Sequence, residues 1–537
     1  MSWNMGDILD AVAGAVPADA PALIYGEQTR SWSEFDARSN ALARQLLARG
    51  LQRGDKVAFY LRNQPAYLET LAACFKAGLV HVNVNFRYRE EELRYILENS
   101  DARAVVFAGE FAEVADKLRS GLDVGTWIQV DDGAPMAGFA ESYEELAAPG
   151  DGSALDVERS GDDLLLLYTG GTTGMPKGVM WPQGDLWEAL GGGASAANGN
   201  MRPEDLAAHR SGIAERGAGP RQLPACPLMH GTGLFTAIGT LLGGGCVVTL
   251  ESPGFDPDEL WGVVEKHGVN SLAIVGDAFA KPMLRALDES PGRYRLDSLQ
   301  LIVSSGVMFS TEVKRGILGH HPPVMLVDSF GSSEAVGFGS SVMTSQGEVK
   351  TARFQIGEHV KVFSERDEEI APGSGEPGFV ARGGAIPLGY YKDAEKTAQT
   401  FRTIGGVRYS IPGDWCRVEL DGTLTLLGRG SVCINTAGEK VYPEEVEEVL
   451  KTHPDVDDAL VVGLADDRWG QAVTGVVQLA EGARLDEDGL RDHVRERLAG
   501  FKVPKRVLRI DRLGRAANGK ADYAAVTEYA RRELAVD

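Results

Sequence analysis

Residues 164–181, LLLLYTGGTTGMPKGVMW, hold more chemistry than any other segment of the chain. Four leucines read as a buried strand, and a Gly/Thr-rich turn ending in Pro176, Lys177 and Gly178 follows directly. Gly170, Gly171 and Gly174 let the backbone approach an anion with its N–H groups turned inward. Thr169, Thr172 and Thr173 add hydroxyl donors, and Lys177 adds a cation. By composition this is a phosphate cradle. It is not a Walker loop, which needs Gly-Lys-Ser/Thr, because here Pro176 precedes the lysine and Gly178 follows it. A flexible glycine turn between two core elements is the bland alternative.

The elements that must position this loop are legible around it. VAFYL (57–61), a helix over 65–76, VHVNV (80–84), REEELRYILENS and AVVF (104–107) alternate as β-α-β-α-β, the rhythm of a doubly wound parallel sheet. A second set follows: CVVTL (246–250), a helix over 258–267, SLAIVG, LQLIVSSG (299–306) and VMLVDSFG (324–331). Strand ends carrying Gly or Ser are where such sheets place ligands. The Gly/Ala-rich stretch 187–222 shows little periodicity and reads either as a lid or acyl lining or as a plain surface loop. Over 360–427, glycine-punctuated short strands read as a small β barrel or distorted sheet.

A boundary is expected just after Arg429, giving domains 1–429 and 430–537. The tail opens with a helix at Pro443, PEEVEEVLKTH, whose early carboxylates suit the helix dipole. Strands ALVVGL and AVTGVVQL follow, then a helix with Leu490, Val494 and Leu498 on one face, closed by Gly500. The fold class expected is α/β: a large N-terminal domain of two doubly wound subdomains plus a small β barrel, and a small, mobile C-terminal α/β domain.

A chain of 537 residues is too long for one core. Its net charge of −23 argues against nucleic acid and anionic membrane as partners. Any anionic ligand must therefore meet local positive charge. Cys74, Cys226, Cys246, Cys416 and Cys433 lack CxxC spacing and read as thiols in a reducing compartment, without a zinc site. The start, MSWNMGDILDAVAG, carries Asp7 and Asp10 rather than a basic run, so no signal peptide is expected. No apolar run approaches the roughly 18 residues that spanning requires. No integral membrane association and a cytoplasmic location are the expectation. The oligomeric state stays open, with a homodimer among the options.

The loop at 164–181 closely resembles the phosphate-binding signature of the adenylate-forming superfamily, which includes acyl- and aryl-CoA synthetases, peptide-synthetase adenylation domains and luciferases. Gly170 stands where that family usually has Ser or Thr. Further segments resemble the family's in the same order. PLMHGTG (227–233) implies that His230 and Gly231 border the carboxylate and acyl site. VSSGVMFS (303–310) implies that Gly306 and Val307 pack against adenine and acyl group. DSFGSSE (328–334), with Ser333 in place of the usual Thr, implies nucleotide contacts from Asp328, Phe330, Gly331, Ser332 and Ser333. Phe330 would stack on adenine, and Glu334, with Thr172, would ligate Mg²⁺, which favours hard oxygen donors.

Beyond these, Asp414 of YSIPGDWC resembles the aspartate that accepts both ribose hydroxyls, and Arg429 of LLGRG the arginine closing over ribose and phosphate. Ser431 sits at the family's hinge position, commonly Asp or Lys. INTAGEKVYPEEVE (434–447) resembles the loop that swings in for a thiol step, with Gly438 lining the pantetheine tunnel and Lys440 beside it. RAANGKADY (515–523) resembles the C-terminal Gly-Lys segment, which makes Lys520 the adenylation lysine.

The resemblance implies two half-reactions with ATP, Mg²⁺ and CoA. A carboxylate attacks the α-phosphorus to give acyl-AMP and pyrophosphate, with Lys520, Lys177, Thr172 and Glu334 serving the charge that develops. The small domain then turns, and CoA thiol attacks the activated carbonyl. Several runs, GAIPLGYYKDAEKTAQTF and GRGSVCINTAGEKVYPEEVE among them, look most like bacterial fatty-acyl-CoA synthetases acting on long, branched or steroid-side-chain acids. The glycines at 231 and 233 would accommodate a bulky acyl chain. Two alternatives stand beside this reading. One is a stand-alone adenylating enzyme with another acceptor (an aryl acid ligase, fatty-acyl-AMP ligase or luciferase-like oxidase), and the other is a non-catalytic nucleotide or acyl binder.

Overall fold

The computed structural model describes residues 3–534 apart from 151, 170–174, 195–200, 348–352, 430–433, 437–438, 467–469, 499 and 516–520, with the side chains of 429, 435, 439 and 440 also left aside. By contact density the chain divides into two compact units, Met1–Thr351 with Arg382–Ser410, and Ala352–Ala381 with Ile411–Asp537.

The first unit contains two twisted sheets. One runs in the order Gly389–Tyr390, Lys177–Pro182, Leu164–Thr169, Val80–Asn83, Lys56–Tyr60, Ala102–Ala108, Thr126–Val130, Glu141–Ser142. From Leu164–Thr169 onward neighbouring strands are parallel, whereas Lys177–Pro182 and Gly389–Tyr390 are antiparallel additions on one edge. Leu165, Leu166, Val57, Ala58, Val105 and Val106 are fully buried, as strands covered on both faces require. The crossover helix Pro65–Ala77 begins on proline and stops at Gly78, whose φ of +67° supplies the left-handed cap.

The second sheet runs Gln28–Ser31, Pro21–Tyr25, Cys246–Thr249, Arg221–Pro224, Ser271–Ile274, Leu301–Ser305, Met325–Ser332, Ala335–Met343, parallel from Pro21–Tyr25 to Met325–Ser332. The anticipated strands and helices of both sets are present. The stretch 187–222 departs from expectation, because it contains the helix Leu206–Arg216, capped by Asp205. Only His209 and Ile213 of that helix are buried, too little contrast for a periodic signal.

In the second unit Arg353–Ile356, Leu424–Arg429, Asp414–Val418 and Pro377–Arg382 form consecutive antiparallel neighbours. The tail builds its own sheet, in the order Glu439–Val441, Ile434–Thr436, Gly470–Leu479, Val456–Asp466, with Arg506–Ile510 parallel to Gly470–Leu479. Helix Pro443–Lys451 buries Val446 and Leu450 against Val461, Val473 and Val507. The helix Glu487–Arg495 ends earlier than its apolar face suggested, and Leu498 packs on the same core from beyond its end. Among the described residues no helix is long and apolar enough to cross a membrane. Cys74, Cys226, Cys246 and Cys416 are buried thiols, and Cys433 lies outside the described residues.

Candidate active site

The strand expected before the glycine loop is present, and it turns back on itself. Leu164–Thr169 and Lys177–Pro182 form an antiparallel hairpin in which Thr169 and Lys177 are register partners. Gly170, Gly171, Thr172, Thr173 and Gly174 lie outside the described residues, but both roots of their loop are defined. Gly178 has no side chain for a visible reason: a Cβ there would meet the Tyr168 ring at 2.8 Å. The Tyr168 hydroxyl in turn donates to Asn99 Oδ1 at 2.7 Å. Lys177 is ion-paired with Asp393. Asp393 also caps the helix Ala394–Thr400 by accepting from Lys396 N at 2.8 Å. Its bond to Lys177, joined by that cap, holds its carboxyl below the usual carboxylate range.

A second turn is fastened to this hairpin. Ser333 and Glu334 connect Met325–Ser332 to Ala335–Met343. Trp181 Nε1 donates to the Ser333 carbonyl at 2.9 Å. Tyr390 donates from its hydroxyl to Glu334 Oε1 at 2.7 Å. Tyr390 pairs with Val179 on the edge of the hairpin. One edge of the first sheet therefore grips both ends of the turn that carries Glu334. The Glu334 amide donates to Ser332 Oγ at 3.2 Å, which tightens the same turn. Gly331 fits beneath it, where a Cβ would sit 3.1 Å from the Ala335 carbonyl.

At the carboxyl end of the second sheet, two glycines lie just beyond the adjacent parallel strands Ser271–Ile274 and Leu301–Ser305. Gly276 N donates to Ser304 Oγ at 2.9 Å, with φ at +53° and the Met308 carbonyl only 2.3 Å from where a Cβ would sit. Gly306 has φ +89°, and a Cβ there would approach only Val275 Cγ1, at 3.7 Å. Backbone conformation, rather than crowding within the protein, demands glycine at 306. Val307 follows, half-buried.

Asp328 and Phe330 point to the buried face of their strand. Asp328 is ion-paired with Lys314, which is itself buried. Burial raises the Asp328 carboxyl above its ordinary value, and Lys314 opposes that rise. Phe330 is 8% exposed and packs against Phe338, ring centroids 5.1 Å apart.

The segment leading to His230 is held from behind. Asn63 Nδ2 donates to the Cys226 carbonyl at 3.0 Å, and its Oδ1 accepts from Leu228 N at 2.7 Å. The Tyr67 hydroxyl lies 3.2 Å from the Leu228 carbonyl and 3.0 Å from His81 Nε2. Burial pushes His81 down to about 3, so that ring is neutral. His230 is half-buried at the start of helix Gly231–Leu242. The expectation that Gly233 makes room for an acyl chain needs correction. The Pro227 carbonyl lies 2.6 Å from a Cβ at 233, so that space belongs to the protein's own backbone. At Gly231 the neighbours are Leu167 and Phe235 side chains, both at 3.4 Å.

In the second unit Asp414 and Arg429 are directly opposed across an antiparallel pair, with Asp414 8% exposed. Lys440 pairs with Asn435 on a short hairpin. Ser431, Gly438 and Lys520 lie outside the described residues. Residues on either side of 516–520 are strongly anchored. Arg515 donates to both oxygens of Asp458, at 2.6 and 2.8 Å, and forms a bridge to Ala521. Tyr523 donates to the buried Glu447 at 2.9 Å.

Sequence reading missed Tyr390, Asp393, Trp181 and Lys314. Each acts through a long-range contact that no local spacing announces.

Residues 9–391 match the family described as AMP-binding enzyme, and residues 445–520 match the AMP-binding enzyme C-terminal domain. The chain is 42% identical to the medium/long-chain-fatty-acid–CoA/3-oxocholest-4-en-26-oate–CoA ligase of Mycolicibacterium smegmatis, across 97% of this chain and 96% of the relative. It is 41% identical to the 3-oxocholest-4-en-26-oate–CoA ligase of Rhodococcus rhodochrous, across 97% and 95%. In fold it resembles ATP-bound MatB from Rhodopseudomonas palustris (TM-score 0.83, 24% identity, 99% and 100% covered). It also resembles the anthranilate CoA ligase AuaEII in complex with anthranoyl-AMP (TM-score 0.85, 20% identity, 100% and 98% covered). With a glycine-loop hairpin clamped to an acidic turn, and family matches over most of its length, this chain belongs to the AMP-binding enzyme family.

Proposed function

We propose that the protein is an ATP-dependent acyl-CoA synthetase acting on fatty or steroid-side-chain carboxylic acids, the acids named for its relatives in Mycolicibacterium and Rhodococcus. The observation that carries this reading is the clamp of Trp181 and Tyr390 on the Ser333–Glu334 turn, which joins the glycine-loop hairpin to a carboxylate. An anion-binding loop beside a fixed carboxylate is what a metal-bound triphosphate requires. Glu334 suits Mg²⁺ in donor chemistry, because one oxygen takes the Tyr390 hydroxyl and the carboxylate retains another hard oxygen. Bound there, Mg²⁺ would neutralise phosphate charge.

The chain's own groups take the remaining roles. Backbone N–H groups and hydroxyls of the 169–174 loop cradle phosphates, and His230 with Gly231 borders the acid. Asp414 holds ribose, with Arg429 opposite it in register. Lys520 donates to the α-phosphoryl oxygen as the acid carboxylate attacks and pyrophosphate leaves. CoA thiol then attacks the acyl carbon and displaces AMP, along a path lined by Gly438. We place the domain boundary at 429/430, with Ser431 as the hinge.

The test is a panel of octanoate, palmitate, 3-oxocholest-4-en-26-oate and benzoate, assayed for pyrophosphate release with and without CoA. Release with an aliphatic or steroid acid, together with acyl-CoA formation, is expected. Release that yields no thioester with any acid would overturn the acceptor assignment. Absence of release with every acid would overturn the reading as a whole.

A further inference from the structure

The strand Val80–Asn83 ends in a buried polar side chain that the reaction above does not use. Asn83 is 4% exposed. Its Oδ1 accepts from Tyr168 N at 2.6 Å, and its Nδ2 donates to the Tyr168 carbonyl at 2.9 Å. The second hydrogen of Nδ2 goes to the Met229 carbonyl at 2.7 Å. Both amide hydrogens are thus used, and one oxygen lone pair as well.

The two bonds to Tyr168 form a ladder rung made by a side chain. Backbone pairing between this strand and Leu164–Thr169 covers His81 with Leu165 and Val82 with Leu166. The Asn83 amide therefore continues the pairing up to the last residue but one before the glycine loop. The third bond reaches a different element: Met229 directly precedes His230 and the helix Gly231–Leu242. One rigid amide fixes the root of the phosphate loop relative to the residue next to the acid site. Such a group cannot relax toward one partner without loosening the other. At 4% exposure the amide is shielded from bulk water, which strengthens all three bonds.

We propose that Asn83 is a positioning residue that sets the distance between the bound acid and the α-phosphorus. This role rests on the synthetase reading and adds to it a residue outside the glycine loop, the acidic turn and the C-terminal segment. A misplacement of about 1 Å between reacting groups is enough to slow an in-line attack by about a hundredfold. Asn63 provides the comparison, because its two bonds fasten only the 226–228 backbone and none reaches the hairpin.

The experiment compares wild type, Asn83→Ala and Asn63→Ala, with octanoate as the acid. It measures ATP affinity by calorimetry and KM for ATP and for acid in pyrophosphate exchange. Asn83→Ala is expected to raise both KM values about tenfold, to weaken ATP binding by a similar factor and to lower kcat. Asn63→Ala is expected to raise the KM for acid alone. If alanine at 83 prevents folding, Asn83→Ser, which keeps a hydroxyl for one of the three partners, undergoes the same comparison. Folded Asn83 variants with both KM values and kcat within twofold of wild type would overturn the proposal, as would a shift confined to the acid. Wild-type protein that binds ATP but exchanges no pyrophosphate would instead sink the synthetase reading, and the positioning role with it. A wild type that exchanges, beside unaffected Asn83 variants, separates the two failures.

Discussion

The Tyr390 hydroxyl donates to Glu334 Oε1 at 2.7 Å, across 56 residues of sequence and between two different sheets. Tyr390 is held in turn at its backbone, where its N–H donates to Thr397 Oγ1 at 2.9 Å. The carboxylate proposed to hold the metal is thereby oriented by a side chain from the other sheet.

Removing only that hydroxyl should loosen the carboxylate without emptying the site. Tyr390→Phe is expected to raise the Mg²⁺ concentration for half-maximal pyrophosphate exchange by about tenfold, the lower end for losing a partner of a metal ligand. The protein's Tm should stay close to wild type, since the ring and its contact with Phe401 remain. Titrating Mn²⁺ by electron paramagnetic resonance gives the same affinity without turnover. An unchanged metal affinity would detach Glu334 from the metal.

Lys520→Ala separates the two half-reactions. Loss of one charge-stabilising donor should lower adenylation by about 10² to 10³. Thioester formation from supplied acyl-AMP should largely survive, because in the proposed mechanism that step does not use the lysine. Pyrophosphate exchange and acyl-AMP consumption by CoA, measured on one preparation, decide the matter. An equal fall in both, with the fold intact, would contradict the assignment.

The two β-α-β sets were legible because most of their parallel strands are apolar runs, and helices Pro65–Ala77 and Pro257–His267 each carry a Pro start and a Gly stop. The strand before the glycine loop was legible for a similar reason, as a run of four leucines. The contacts that assemble the site were not. Asn83 reads as an ordinary strand residue, and only the fold brings Tyr168 and Met229 to its two ends. Gly233 misled because a missing side chain looks the same in sequence whether a ligand or the Pro227 carbonyl fills the space. The opposition of Asp414 and Arg429 depends on a bulged register, with a shift between Trp415 and Cys416 that spacing does not encode.

Glycines 276 and 306 should respond differently to alanine. At 306 the left-handed backbone costs about 1–2 kcal/mol for a non-glycine residue, and nothing in the protein collides. At 276 the positive φ goes with a ψ of −153°, a region essentially reserved for glycine, and a Met308 carbonyl must also move. Urea unfolding should therefore rank Gly276→Ala as clearly the more destabilised. If Gly306→Ala also raises the KM for ATP well beyond its small loss of stability, the open space at 306 is where a ligand sits. A KM unchanged from wild type would leave that glycine a purely conformational requirement.

The Lys314–Asp328 pair makes a prediction about pH. Asp328 has a folded-state value above its ordinary 3.8, since burial outweighs the attraction of Lys314. A carboxyl raised on folding contributes its full stability below the unfolded value and loses it as pH rises through the folded one. Removing Lys314 takes away the main influence opposing that rise, so the folded value climbs further and the loss extends to higher pH. Lys314→Met should thus be destabilised by about 3–5 kcal/mol near neutrality, the cost of leaving a buried charge unpaired. The gap from wild type should narrow toward pH 5.5, as Asp328 takes up a proton in the variant. Adding Asp328→Asn to Lys314→Met should recover much of the loss and flatten its dependence on pH. Urea midpoints at pH 5.5, 6.5 and 8 test this directly, and a gap constant across that range would mean that Asp328 does not titrate in the folded protein.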